Sequence, residues 1–145
     1  MALEAFYNRL TLSPADAESI WKKRGLPPSA CEAYGLRSSG AHCRDLIEQM
    51  RLELGDAALQ KAGLLAVDKE SGALHPEPQF CGMGMTGKKR PDGDPEMKWG
   101  MNPVLIPYFD ADDRLFALRP HKGGLPGRPS RFLRGPFPQD FEAAA

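Results

Sequence analysis

The residues best suited to chemistry lie in a basic segment, rich in glycine and proline, at positions 119–132. Arginine and lysine bind phosphate, and glycine lets backbone N–H groups approach an anion closely. Phe132 offers an aromatic face on which a nucleic-acid base can stack. Composition alone does not decide between a nucleic-acid-binding loop and a solvated basic linker. The arginine and lysine residues of the segment are Arg119, Lys122, Arg128 and Arg131.

Charge is unevenly distributed along a chain whose formal net charge is zero. From Arg114 to Arg134 there are six arginine or lysine residues and no Asp or Glu. A zero total charge argues against a generic polyelectrolyte binder. A local basic stretch can still steer a polyanion to one part of the surface.

A second candidate for chemistry is the glycine-rich stretch at residues 82–88, which has the spacing of a phosphate-binding P-loop. Lys89 stands where a Ser or Thr should ligate magnesium, and the helix-hostile run at residues 90–95 follows. A P-loop needs a helix N-terminus to cradle phosphate, so we predict a surface loop rather than a nucleotide site. An intermediate interpretation gives this loop secondary contacts to a nucleic-acid backbone, through Lys88, Lys89 and Arg90.

Metal ligation and nucleophilic catalysis find little support in the spacing of the residues. The histidines and cysteines His42, Cys43, His75, Cys81 and His121 match no CxxC, HxxxH or zinc-knuckle pattern. No nucleophile stands beside a recognisable base. We therefore assign this chain no catalytic residue, no metal ligand and no cofactor.

An acidic cluster sits in the middle of the clearest strand pair, at Asp110, Asp112 and Asp113. Carboxylates can hold magnesium, but tight turns also select Asp because its side chain bonds to nearby backbone N–H groups. The position between two apolar runs favours a solvated turn over a metal site.

The first half of the chain has signals for four helices. Ser13 and Pro14 form a strong helix start with Asp16 in a capping box, and Gly25 ends that helix. Leu46, Ile47, Met50 and Leu54 follow helical spacing and predict a core-facing stripe. The helices are predicted over about residues 13–25, 28–34, 41–54 and 56–62.

The second half of the chain has strand signals. Residues 64–67 and 73–74 flank a turn, and residues 104–109 and 114–118 flank the acidic turn as a β-hairpin. Residues 81–102 are rich in Gly, Met, Lys, Asp and Pro and predict a long surface loop. We expect an α+β fold in which a helical N-terminal half packs on a small antiparallel β-sheet.

Bulk properties agree with one ordinary globular domain. The chain has 145 residues, 41% of them hydrophobic and 26% charged. Three cysteines without paired spacing do not indicate a secreted disulfide framework. No stretch reads as a signal peptide or a membrane span, so a cytoplasmic location without membrane contact is expected.

The order of several short motifs resembles a known family. The chain has Arg24-Gly25-Leu26-Pro27, then Tyr34-Gly35-Leu36, a helix at 41–54 and Lys61-Ala62-Gly63-Leu64-Leu65. A hairpin phrase at 104–119 and Pro129-Ser130-Arg131-Phe132-Leu133 come last. This order, over about residues 12–134, resembles the N-terminal subdomain of the catalytic core of bacterial DnaG-type primases, in a divergent form suggestive of a phage or mobile element.

The resemblance implies a function and a set of residues. In that family, basic positions of the subdomain line a groove that holds single-stranded template beside a Toprim metal site. Arg24, Arg119 and Arg131 fall at the matching positions, and Lys122 and Arg128 neighbour them on the same segment. We expect a single-stranded-DNA (template) binding subdomain, with these five residues as its main contacts.

Several departures from the family limit what the resemblance implies. No counterpart of the zinc-binding module or of the Toprim carboxylates is present, so polymerisation by this chain alone is not expected. Magnesium would belong to a Toprim domain, and that domain or a helicase of the same system would be a protein partner. Residues 1–11 are read as an extension, 81–102 as an inserted loop and 135–145 as a flexible tail.

Two rival functions stay open. One is a protein-interaction module that docks a helicase or another replication protein, whose signature would be an exposed apolar patch. The other is a small enzyme that uses residues 82–89 to bind a nucleotide, which nucleotide-dependent thermal stabilisation would reveal.

Overall fold

The computed structural model describes residues 2–121, and this part of the chain has an α+β fold with five α-helices and seven strands. The helices are α1 (Ala2–Asn8), α2 (Pro14–Arg24), α3 (Pro28–Ala33), α4 (Ala41–Leu54) and α5 (Asp56–Lys61), with a 3₁₀ helix over Pro78–Cys81. The strands are β1 (Arg37–Ser38), β2 (Leu65–Val67), β3 (Leu74–Pro76), β4 (Gly84–Lys89), β5 (Pro95–Lys98), β6 (Val104–Phe109) and β7 (Leu115–His121). Within residues 2–121, no helix combines the length and apolar character needed to cross a bilayer.

The strands form three small antiparallel sheets. The main sheet has the order β1-β6-β7, and β2–β3 and β4–β5 are separate two-stranded sheets. Strand β6 is central, because β1 pairs with it on one side and β7 on the other. The predicted hairpin is therefore confirmed, and it forms the centre of the fold.

Strand β6 is buried on both faces and separates two hydrophobic cores. Leu105 belongs to the larger core, which α1, α4 and α5 cover. Val104 and Ile106 belong to the smaller core, which residues of α2 and α3 cover. Alternate residues of a strand point to opposite faces, so the continuous apolar run at 104–106 fits a strand between two layers.

The helix predictions agree closely with the structure. The Ser13 hydroxyl oxygen accepts the Asp16 backbone N–H at 3.1 Å, as an N-cap does, and Gly25 ends α2 with φ of 68°. Helix α4 spans 41–54 as predicted, with Ile47 and Met50 fully buried. Leu54, predicted to face the core, is instead 46% exposed at the end of the helix.

The segment at residues 1–11, predicted to be an N-terminal extension, contributes three residues to the larger core. Phe6 is completely buried, and Tyr7 and Leu10 are nearly so, all three within the larger core. The Phe6 ring packs edge-on against Phe80, with 6.0 Å between ring centroids. The apolar residues of this short segment give α1 a buried face that closes the core beside β7.

The prediction of a long surface loop over residues 81–102 was wrong. Strands β4 and β5 pair across it, with Gly84 opposite Lys98 and Met85 opposite Met97. The Gly and Pro content reflects a tight turn and a bulge in this hairpin rather than irregular backbone. Most of its side chains are exposed, which is why the apolar signal for strands was weak.

Candidate nucleic-acid interface

The last residues of β7 were predicted to belong to a basic loop, but they continue the strand. Arg119 pairs with Ile106 of β6, Pro120 with Leu105, and His121 with Val104. Pro120 has no backbone N–H to donate, and in the described sheet β7 pairs with β6 alone, which suits proline. Arg119 itself is exposed, but its strand is held in place by pairing with the buried strand β6.

Arg24 reaches the same end of β7 from the last turn of α2. Together with His121 and buried residues of the smaller core, it borders a small cavity. Burial, and secondly the positive charge of Arg24, lowers the pKa of His121 to about 4. His121 is therefore neutral near pH 7, and Arg24 supplies the positive charge.

Arg24 and Arg119 come from distant parts of the sequence, and each is a neighbour of His121 near the end of β7. Arg119 and His121 are two residues apart on a strand and share a face, and the Arg24 charge acts on His121. Two guanidinium groups at one end of a strand form a local positive site of the kind that phosphate oxygens bind.

Two aromatic side chains accompany Arg119. Tyr108 of β6 and Phe116 of β7 lie with their ring centroids 6.3 Å apart, and the Phe116 side chain is 62% exposed. Burial raises the pKa of the Tyr108 phenol, and the nearby Arg119 charge acts in the opposite direction. Exposed aromatic faces beside arginine are a feature of single-strand binders.

These aromatic residues were not predicted as part of a site. Both were assigned to the hairpin as ordinary strand residues. Phe116 stands between Leu115 and Ala117 in an apolar run, and the period of a strand puts it opposite Leu115. Alternation alone gave no signal, because it also puts Phe116 on the face of the buried Leu118; the exposed Phe116 lies where the β6–β7 pairing is interrupted by a bulge.

Three residues predicted as secondary contacts lie elsewhere. Lys88 and Lys89 end β4, and Arg90 begins the turn of the β4–β5 hairpin. All three are exposed, and Arg90 makes an ion pair with Asp92 at 3.0 Å. They occupy the tip of a separate sheet, and the predicted grouping with Arg24 and Arg119 stays a prediction.

Four further predicted contacts lie outside the described residues. Lys122, Arg128, Arg131 and Phe132 follow His121 in the chain, and so does the predicted tail at 135–145. The described part of the predicted basic segment is therefore Arg119–His121.

Not all of the positive charge near the hairpin is available to a ligand. The Arg114 guanidinium donates to the Glu4 carboxylate at 3.0 Å, and this ion pair links the hairpin turn to α1. The sequence count of six positive charges without an acidic partner could not include Glu4, which lies far away in the chain.

The P-loop spacing at residues 82–88 has no structural counterpart. Residues from Gly84 onward form β4, and β5 follows it rather than a helix. Without a helix N-terminus behind the glycines, this segment cannot build the phosphate cradle of a P-loop. The expectation that no helix follows the glycines, drawn from the helix-hostile run at 90–95, is confirmed.

The cysteines are core residues, as predicted for Cys31 and Cys43, and Cys81 is buried as well. Burial raises the pKa of Cys43 to about 12 and that of Cys81 to about 11, so both thiols stay protonated. In residues 2–121 no group of three or more His, Cys, Asp or Glu side chains could hold a metal ion.

The acidic turn has local structural reasons for its composition. The Asp110 carboxylate accepts backbone N–H groups from Asp112 at 2.8 Å and from Arg114 at 3.0 Å. Asp113 has φ of 59°, a left-handed conformation that Asp tolerates better than most residues. This arrangement supports the interpretation of the cluster as a solvated turn.

Comparisons of the chain with protein-family models, with curated proteins and with solved structures find no match. The resemblance to the primase core therefore stays a prediction that depends on motif order.

Proposed function

We propose that this chain binds single-stranded DNA as the template-binding subdomain of a primase-like replication protein. The observation that supports the proposal most is that Arg24 and Arg119 both neighbour His121 near the end of β7. The order of motifs independently assigns both residues to template binding.

The chemistry of the β7 end suits a single strand. Guanidinium groups bind phosphate oxygens with two parallel hydrogen bonds, and the partly buried Arg24 loses little freedom on doing so. Phe116 and Tyr108 lie beside Arg119 and can stack an unpaired base. A duplex hides its base faces, so aromatic contacts of this kind favour single-stranded DNA.

The scaffold also suits binding. Arg119 projects from a strand whose partner β6 is buried on both faces, and β6 holds the backbone in place. Side chains on such elements are positioned more precisely than those on loops. Lys122, Arg128 and Arg131, the other contacts that the resemblance implies, lie outside the described residues.

In this proposal the chain supplies template contacts and no catalytic group. Polymerisation would require the carboxylates and magnesium of a Toprim domain, which would be a partner together with a helicase of the same system. The subdomain would therefore act by orienting the template strand.

A protein-docking module is the second candidate. A shallow groove beside β7 is lined by Leu3, Phe80, Phe116 and other apolar residues, and Phe116 is mostly exposed. Exposed apolar surface of this kind is common where proteins associate. Arg119 also borders this groove, which is why DNA binding is the better-supported function.

Fluorescence anisotropy tests the two candidates directly. The chain is titrated with a labelled single-stranded oligonucleotide and with the matching duplex, across a series of salt concentrations. Template binding predicts preference for the single strand and affinity that falls steeply with salt. Absence of binding to either DNA at low salt would contradict the proposal and favour the docking module.

A further inference from the structure

A cleft with mixed polar and aromatic walls lies apart from the β7 end. It has a volume of about 440 Å³ and lies where the first turns of α2 and α4 meet the loop before β6. Clefts of this size hold ligands as large as a nucleotide. Residues that define it are Asp16, Gly40, Arg44, Gly82, Trp99 and Gly100.

Three backbone segments lie close together at this cleft, and each has a glycine there. A Cβ atom on Gly82 would lie 3.6 Å from the Gly40 Cα and 3.7 Å from the Gly100 nitrogen. Gly82 and Gly100 have φ of 99° and 83°, which other residues rarely adopt. The three glycines therefore leave backbone, rather than side chains, accessible at this wall.

Trp99 and Arg44 give the cleft its recognition chemistry. Trp99 is 58% exposed, a large fraction for the largest apolar side chain. Arg44 is exposed too, and within residues 2–121 no hydrogen bond or ion pair engages its guanidinium group. An exposed indole and an unpaired guanidinium that line one cleft can take a base and a phosphate.

The start of α4 adds to the positive side of the cleft. Gly40 caps this 14-residue helix without a side-chain hydrogen bond, and Gly40 and Ala41 both line the cleft. First-turn N–H groups and the helix dipole favour an anion at this end. Arg44 is one turn further along the same helix, so both positive features act on the same region.

We propose that this cleft holds one nucleotide of a bound single strand, with its base stacked on Trp99 and its phosphate beside Arg44. This inference depends on the proposed function, since it adds a second contact region to the same DNA strand. Asp16 accepts hydrogen bonds from the Ser13 and Ser38 hydroxyls at 3.0 and 2.5 Å, and its charge repels phosphate. The phosphate therefore lies on the Arg44 side.

Helix α2 connects the cleft with the β7 end. Asp16, Ile20 and Arg24 are spaced by four residues and lie along one stripe of α2. At about 1.5 Å per residue, Asp16 and Arg24 are ~12 Å apart along the helix axis. Asp16 borders the cleft and Arg24 borders the small cavity at the end of β7, so a DNA segment of a few nucleotides could contact both regions.

The test compares the two tryptophans of the chain, which are similarly exposed. Trp99→Ala and Arg44→Gln remove the proposed contacts, and Trp99→Phe keeps an aromatic face. Trp21→Ala is the matched control, since Trp21 is 52% exposed on α2 and does not line the cleft. Each variant is titrated with a labelled mixed-sequence single strand, and circular dichroism verifies that it is folded.

Trp99→Ala is expected to weaken binding about tenfold, which corresponds to loss of one stacked base. Trp99→Phe should restore most of the affinity, and Trp21→Ala should leave it unchanged. In a Trp21→Phe background, DNA should also quench the fluorescence of Trp99.

The outcomes separate this inference from the proposed function. If the unmodified chain binds single strands, Trp99→Ala binds them equally well and DNA leaves the Trp99 fluorescence of the Trp21→Phe chain unchanged, the cleft proposal fails and DNA binding stands. If the unmodified chain binds no single strand at low salt, both fail.

Discussion

Two exposed basic regions of this molecule differ in how they are built. At the β7 end, Arg119 and Arg24 sit on elements packed against the two cores that flank β6. At the tip of the β4–β5 hairpin, Lys88, Lys89 and Arg90 sit on a two-stranded sheet of mostly exposed residues. The sequence makes the two regions look alike, because both combine basic residues with glycine and proline.

The difference indicates which region holds its side chains more firmly. Side chains fixed by a packed scaffold lose less freedom when a ligand binds them. Charge at the hairpin tip is also partly balanced within the hairpin, by the Arg90–Asp92 ion pair. Basic composition is therefore a weaker guide to a site than the elements on which the basic residues stand.

The largest expected contrast between the two regions is in stability. Phe6→Ala should lower the free energy of unfolding by about 3–5 kcal/mol, because it empties a fully buried position beside β7. Met97→Ala in the hairpin should change it by less than about 1 kcal/mol, since Met97 is 40% exposed. Urea denaturation followed by circular dichroism measures both. Equal losses of unfolding free energy in the two variants would mean that both regions are packed equally well into the fold.

The next contrast is in DNA affinity. Arg119→Gln should weaken binding to a single strand about tenfold, because a charged hydrogen bond to phosphate is lost. Lys69→Gln is the control: it removes an exposed charge from the turn between β2 and β3. Anisotropy titrations at low salt compare them. Similar losses in both variants would indicate non-specific charge attraction.

A pH dependence should distinguish the β7 end from the rest of the chain. The pKa of His121 is lowered to about 4 in the folded chain, against about 6.5 for free histidine. Between these values the unfolded chain binds a proton that the folded chain does not, so stability falls as pH drops from about 6.5 to 4.

The size of this effect is on the order of 1 kcal/mol once partial solvent exposure of the ring is allowed for. Thermal melts at several pH values measure it, and His121→Gln should flatten the profile in this window. If His121→Gln leaves the pH profile of stability unaltered, folding does not lower the pKa of His121.

The smallest expected effect is at the hairpin tip. The double substitution Lys88→Gln, Lys89→Gln should weaken single-strand binding by less than about threefold, since exposed charges on a weakly packed element contribute little. The same anisotropy assay measures this change. A loss as large as that of Arg119→Gln would reverse the proposed ranking of the two regions.

Much of the fold could be predicted because local signals dominate it. Ser13 and Gly25 bound α2, and the two apolar runs on either side of the acidic turn define β6 and β7. The predictions failed where contacts between residues distant in the sequence determine the structure. Phe6 is buried only because α4 and Phe80 lie against it, and β4 pairs with β5 through backbone rather than apolar side chains.

The candidate site was partly predictable for the same reason. Motif order indicated Arg24 and Arg119, whereas Phe116, Tyr108 and the Trp99 cleft depend on how segments pack. The Arg114–Glu4 ion pair likewise joins residues that no local pattern connects. Long-range contacts of this kind have no signature in a single sequence.

The most direct test of the central claim is the salt dependence of single-strand binding by the unmodified chain and by Arg119→Gln. Each phosphate contact contributes about 0.7 to the slope of log K against log salt concentration. If Arg119 binds template phosphate at the β7 end, the slope of the variant should be shallower by about that amount. Parallel slopes and equal affinities would contradict the account.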